Sequence, residues 1–328
     1  MFRSKRFWGL VVSLVFLWLA LRRVEWQRLP PILLTIDPRF VAAMLVSIIC
    51  EGLMRAWRWQ VILGGRPLPF RHSYTGLMLG YFFNNVLPAR AGEFIRAAYL
   101  GRQGIIRSSE AFGSVVLERF VDGIAVLTLI LLAVQWFEVS PGIRQAGFSA
   151  LVFYALVLGF ILLFQFRRHW VMPITGFFIR LLPERFRERV TTAQEAFIRG
   201  LDSIRHPGRF LGVIALTFLS WGISTFTYYL SLKVFGLSQG WDVALLLISI
   251  LSLGAMIPSS PGMIGIYQWC CMLVLSDMLH LPPEVAASHG LFTHFISYSV
   301  VLVIGLGLLT LENLSINDLQ NAAPLDPA

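Results

Sequence analysis

Two apolar stretches of this chain are interrupted at matching points, and few folds tolerate such interruptions. The first runs from residue 73 to 83 and breaks in Asn84-Asn85-Val86-Leu87-Pro88-Ala89-Arg90-Ala91-Gly92-Glu93-Phe94-Ile95-Arg96. Proline removes a backbone donor and glycine weakens a helix, so a continuous helix is not expected through Pro88 and Gly92. About 170 residues later the punctuation recurs as Ile257-Pro258-Ser259-Ser260-Pro261-Gly262. Leu87-Pro88-Ala89-Arg90-Ala91-Gly92 and this second stretch share an aliphatic residue, a proline, two spacers, a small or imino residue and a glycine. At membrane depth, freed backbone groups must line a polar cavity or be buried in protein. Paired interrupted segments point to a binding site of the transporter type.

Composition places these breaks at membrane depth. Of 328 residues 56% are hydrophobic and 14% charged, against about 25% charged in a soluble domain. Several runs approach the roughly 20 apolar residues that span a bilayer. The expectation is an all-α polytopic membrane protein with one transmembrane domain, residues 1–311, and a polar tail, 312–328. The net charge of +9 lies mainly in loops between apolar runs, where it reads as a topology signal and as contact with anionic lipid, not nucleic acid. Cys50, Cys270 and Cys271 sit in apolar segments with no zinc or disulfide spacing, and read as buried inert thiols. No cofactor or metal motif is present. Residues 7–21 follow a basic start and precede Arg22-Arg23 instead of a small-residue cleavage site, so they read as an uncleaved first helix.

About six full transmembrane helices are expected, at 7–21, 40–63, 109–137, 146–166, 210–235 and 285–311. The prolines at 30 and 31 place 22–38 in a loop, and Trp57-Arg58-Trp59 reads as an interfacial belt ending the second helix. Residues 73–87 with 94–100, and 243–257 with 263–278, form two interrupted re-entrant hairpins. The first limb, at 1.5 Å per residue, reaches only about 22 Å of a hydrocarbon core of about 30 Å. Residues 167–209 hold nine arginines and read as a cytoplasmic, amphipathic surface segment. Counting spans from it puts the N-terminus inside and brings the hairpins in from opposite faces. That is an inverted repeat, about 40–137 and 210–311, in which Arg119 corresponds to His294. The loop 22–39, with four arginines against two acids, runs against this orientation.

Ionisable residues within the apolar helices are the candidates for chemistry. Glu51, Arg55, Glu118, Arg119 and Asp122 would together cost on the order of 15 kcal/mol facing lipid, at about 2.5–3.5 each. They must pair with one another or face a wet cavity. Glu51 with Arg55, and Glu118 with Asp122, share a helix face at i,i+4; Arg119 and Asp122 do so at i,i+3. Arg90, Arg96 and Arg119 offer forked donors suited to phosphate oxygens. Asn84 and Asn85 can donate to phosphate or satisfy the broken backbone. Glu93, Glu118 and Asp122 can orient the arginines or receive a cationic group, and Ser259, Ser260 and the backbone at Gly262 supply neutral hydrogen bonds from the second hairpin. His289 and His294, five apart, lack the spacing of a helical metal pair and read as hydrogen-bonded core histidines.

Asn85-Val-Leu-Pro-x-Arg-x-Gly-Glu-x-x-Arg96, Glu118-Arg-x-x-Asp122 and Ile257-Pro-x-Ser-Pro-Gly-x-x-Gly265, in that order, resemble the lysylphosphatidylglycerol synthase transmembrane region family, also described as flippase-like. The resemblance runs from about residue 7 to 311. It implies a lipid-handling protein of the bacterial cytoplasmic membrane, multi-pass, in which a phospholipid or polyprenyl-type lipid moves between leaflets. Its partners would be an anionic or zwitterionic phospholipid headgroup and a separate lipid-modifying enzyme. In the two-domain synthases an aminoacyl-transferase domain accompanies the membrane part. Here only a polar tail follows residue 311, so translocation without that reaction is the expectation. A membrane-embedded lipid-modifying enzyme using Glu93, Glu118 or Asp122, or a scaffold for one, is the alternative.

Overall fold

The computed structural model describes residues 5–64, 68–87, 91–104, 106–137, 206–257 and 260–314, with 168–181 and scattered positions between 145 and 194. Eleven helices and no strand occur among the described residues. They are α1 (Lys5–Leu21), α2 (Leu29–Leu34), α3 (Pro38–Ile62), α4 (Phe70–Val86), α5 (Gly92–Arg102), α6 (Ser108–Ala133), α7 (Arg168–Arg180), α8 (Pro207–Val234), α9 (Trp241–Gly254), α10 (Ile266–Met272) and α11 (Pro283–Leu311). α10 continues as a π-turn, Leu273–Met278. By length and composition α3, α8 and α11 are long and apolar enough to cross a membrane. α6, with 26 residues, is as long but contains Glu110, Glu118, Arg119 and Asp122.

The helix starts follow local chemistry. Proline occupies the first turn of α3, α8 and α11, where its missing N–H is an orphan in any case. The Asp37 carboxylate caps α3 by accepting from Arg39 N at 2.8 Å. Pro30 and Pro31 likewise open α2 instead of keeping 22–38 as loop, which corrects the expectation there.

Both interruptions are present. α4 stops at Val86 and α5 starts at Gly92; α9 stops at Gly254, a 3-10 turn covers Pro261–Met263, and α10 begins at Ile266. At 17 and 14 residues, α4 and α9 reach about 26 and 21 Å, short of a hydrocarbon core of about 30 Å. Pro88, Ala89, Arg90, Pro258 and Ser259 lie outside the described residues, as do most of the segment 146–166 and the tail beyond 314.

The halves pack reciprocally. α3 lies along α8, while α4 packs on α11 and α9 on α6. α3 and α8 run antiparallel. Asp37 N donates to Val234 O at one end, Ser47 bonds Thr227 near the middle and Arg58 reaches Thr217 at the other. Equivalent helices running antiparallel is the relation an inverted repeat requires. Each hairpin has its own apolar core, one around Trp59, Leu79, Phe83, Tyr99 and Leu117, the other around Leu247, Ile266, Cys271, Leu275 and Ala286. α1 covers the second. Cys270 and Cys271 are buried as expected, whereas Cys50 is exposed on the outer face. α7 shows exposed Ile174, Phe177 and Phe178, an apolar surface compatible with lying on a membrane.

Candidate functional site

α3, α5 and α6 bring eight ionisable side chains into one network. Glu51, Arg55 and Arg58 occupy one face of α3. Glu93 and Arg96 come from the restart of the first hairpin, and Glu118, Arg119 and Asp122 from the middle of α6. Arg58, fully buried, donates Nη1 and Nη2 to the two Asp122 oxygens at 2.5 and 3.1 Å, and its Nη2 lies 3.1 Å from Glu118 Oε1. Arg96 donates to both oxygens of Glu118, Nη1 to Oε1 at 3.3 Å, and its guanidinium lies 4.0 Å from the centre of the Trp59 ring. Arg119 Nη2 donates to Glu118 Oε1 at 2.8 Å and stands 3.7 Å from Asp122; its Nε is 3.7 Å from Glu93. Arg55 Nε donates to Glu51 at 2.7 Å, with Ser224 bridging both, and its guanidinium lies 5.0 Å from the Trp221 ring. Trp221 Nε1 donates to Asp122 at 3.0 Å.

Four guanidiniums thus face four carboxylates. Such a cluster is tolerated away from water because each charge is paired and all but Glu93, whose nearest cations stand at 3.7 and 3.8 Å, are hydrogen-bonded. The i,i+4 and i,i+3 pairings read from the sequence form as expected. Arg58 was read as part of an interfacial belt and is instead the centre of the network. Trp57 is exposed, but Arg58 and Trp59 point inward. The spacing 51, 55, 58 along one helical face was the signal that could have found it. Arg119 is the most open of the four arginines, with 37% of its side chain exposed.

The other candidates have structural partners. Asn84 Oδ1 accepts from Gly92 N at 3.0 Å and closes the first hairpin. A Cβ at Gly92 would run into the Gly80 carbonyl, so only glycine lets α4 and α5 approach this closely. Asn85 O accepts from Tyr298 of α11 at 3.1 Å. The Ser260 N–H donates to Ser13 of α1, and the two hydroxyls are bonded at 2.8 Å. Gly262 takes φ 71°, a conformation suited to glycine, and its carbonyl accepts from His294 at 2.8 Å. His289 bonds Ser231 at 2.9 Å, so both histidines are hydrogen-bonded, as the sequence suggested. Arg90 and Ser259 lie outside the described residues.

A cavity of about 300 Å³ lies between the halves. Glu51 and Arg55 form its charged wall, beside Ser224, Tyr228 and Tyr267, and Met78, Ile248 and Leu251 its apolar wall. Asn84, Asn85, Glu93, Arg96, Glu118, Arg119 and Asp122 do not line it; Asp122 touches its wall through Arg55, 3.9 Å away. The structure therefore separates the polar chamber that sequence reasoning placed at the hairpin tips from the ion-pair cluster beside it.

A chain of apolar helices, two of them broken, around such a cavity defines a polytopic integral membrane protein. The profile of the lysylphosphatidylglycerol synthase TM region matches residues 6–305, and the chain belongs to that family. It is similar to the glycosyltransferase AglD of Haloferax volcanii, 26% identical over 345 residues. That match covers 94% of this chain and 54% of AglD, so the chain spans about half the length of that relative. A UPF0104 membrane protein of Methanothermobacter thermautotrophicus is 25% identical, with 86% of this chain and 88% of the relative covered. Another, from Methanocaldococcus jannaschii, is 24% identical, with 90% and 91% covered.

Proposed function

We propose that this protein moves a lipid, a phospholipid or polyprenyl-type lipid with an anionic or zwitterionic headgroup, between the leaflets of the cytoplasmic membrane. The observation that supports this reading is the cavity between the two halves, lined by Glu51, Arg55 and several hydroxyls together with apolar side chains. Its volume sits at the low end of small-ligand sites, about 300–1,000 Å³, which suits a headgroup whose tails remain in the bilayer. An unaided charge at the bilayer centre costs at least about 2.5 kcal/mol; a polar wall at that depth lowers the cost. Arg119, the open member of the cluster, would receive phosphate oxygens as the headgroup leaves the cavity.

Translocation is favoured over catalysis because Glu118 and Asp122 each accept from several cationic or N–H donors, which opposes a role in proton abstraction. A bacterial host was the expectation from the family resemblance, whereas the relatives described above are archaeal. The test is reconstitution in vesicles with a trace of fluorescent phosphatidylglycerol and an impermeant quencher. Wild-type protein should expose the inner-leaflet label, and Arg119→Ala should not, while remaining folded by circular dichroism although its melting temperature falls with the lost ion pair. Full translocation by Arg119→Ala would contradict the reading. The similarity to a glycosyltransferase supports a second reading, a membrane part serving lipid-linked glycosyl transfer. Lipid profiling of a deletion strain separates the two. A missing lipid species favours the enzyme partner, and an unchanged inventory with altered leaflet distribution favours the translocator.

A further inference from the structure

The second hairpin is tied to α11 by a chain of hydrogen bonds whose direction is fixed at both ends. At one end the Gly265 N–H, a donor only, meets the Gln268 side chain at 2.8 Å, so the amide atom there is the oxygen Oε1. The Gln268 NH2 group then points at His294 Nδ1, 2.9 Å away. At the other end the Gly262 carbonyl, an acceptor only, lies 2.8 Å from His294 Nε2, so Nε2 carries the proton. Nδ1 is left as the acceptor. The chain closes with every donor facing an acceptor only while the imidazole is neutral and protonated at Nε2.

We propose that His294 is a proton-binding site that releases the second hairpin. A proton arriving at Nδ1 sets an N–H against the Gln268 NH2 group. The bond is lost, and the amide must turn, which also takes Oε1 away from Gly265 N. Proton binding at one atom thereby unfastens the restart of α10 from α11 while the Nε2–Gly262 bond persists.

The surroundings suit this role. The His294 ring stacks on Tyr267 with centroids 4.5 Å apart, and Tyr298 meets it edge-on at 6.0 Å. Tyr267, Met263 and Ser297, all beside it, line the cavity between the halves. The groups facing His294 are Tyr267 and Gln268 from α10, the Gly262 carbonyl from the turn and Tyr298 from α11. No carboxylate or guanidinium pairs with it among the described residues. Burial without a counter-charge resists the arriving proton, and the phenol faces offset part of that cost. Among the described residues the first hairpin is fastened instead by arginine–carboxylate pairs. The inference rests on the translocator reading only in giving this motion a purpose, the opening of the cavity on the side of the second hairpin.

The test is hydrogen–deuterium exchange of peptides covering residues 260–278 in the full-length protein in detergent micelles. It is run at about pH 4.5 and about pH 7.5, the lower value chosen because a buried ring without a counter-charge charges less readily than a free one, with labelling times corrected for intrinsic exchange. Wild-type exchange should rise about five- to ten-fold at the lower pH, the loss expected for one to two hydrogen bonds. His294→Gln can donate to Gly262 O and accept from Gln268 without titrating, and should show no rise. Gln268→Leu should exchange fast at both values. A rise that persists in His294→Gln, or wild-type exchange that ignores pH, overturns the proposal. Because the readout involves no lipid movement, its failure is distinct from failure of the translocator reading.

Discussion

In the first half, α5 is fastened to α6 by Arg96 on Glu118, with Arg119 reaching back toward Glu93. In the second, α10 is fastened to α11 by Gln268 on His294, with His294 reaching back to Gly262 O. Arg119 of α6 reaches toward the start of α5, and His294 of α11 reaches the turn that precedes α10. The geometry is shared and the chemistry is not. Breaking a buried ion pair by removing one partner costs about 3–5 kcal/mol, whereas a neutral hydrogen bond contributes about 1. The repeat thus combines a stiff, charge-locked hairpin with a softer, neutral one.

The sharpest way to break this comparison is Arg58→Met. It leaves Glu118 and Asp122 short of a partner and should cost about 3–5 kcal/mol, read as a fall in denaturation midpoint in micelles. Adding Asp122→Leu should restore much of that loss; no recovery would mean the network is not held by charge pairing. Next, Gly92→Ala should cost about 1–3 kcal/mol, because the new methyl meets the Gly80 backbone carbonyl and neither limb can retreat without opening the hairpin. Gly222→Ala, in the interior of α8 with nothing within 4 Å of the added carbon, is the control and should stabilise by about 0.5–1 kcal/mol. Gln268→Leu, on the soft side, leaves Gly265 N and His294 Nδ1 without a partner and should cost about 1–3 kcal/mol. A cost as large as that of Arg58→Met would erase the distinction between the hairpins. Smallest is Arg23→Ala, which removes an exposed pair with Asp277 and should shift stability by less than about 0.5 kcal/mol.

The frame of the fold was legible in the sequence because apolar runs and Pro-Gly breaks are local signals. α3, α8 and α11 begin and end within three residues of expectation, and both hairpins break where the prolines suggested. The charged residues of the cluster were legible as candidates because ionisable groups in apolar helices are conspicuous. Which of them meet was not, since the bonds from Arg58 to Asp122 and from Arg96 to Glu118 join separate helices, and one sequence contains no record of that pairing. Arg58 was hidden by its flanking tryptophans, which resemble an interface belt while only Trp57 faces outward. The neutral strap was hidden more deeply. Gln268 and His294 are unremarkable in apolar helices, and two of their partners, Gly262 O and Gly265 N, belong to the backbone. Asn84 and Asn85 were legible as donors to phosphate or as partners for the broken backbone; Asn84 takes the second role by accepting from Gly92 N, and the Asn85 carbonyl anchors α11.

The central claim is that a headgroup crosses through the cavity between the two halves. Ser252 lines that cavity, and its hydroxyl bonds only the preceding turn of α9. Ser252→Trp would fill the space and leave the ion-pair cluster intact. In vesicles carrying fluorescent phosphatidylglycerol, the account predicts that translocation by this variant falls to the protein-free rate while its melting temperature stays near that of the wild type. Translocation at the wild-type rate by a folded Ser252→Trp protein would contradict it.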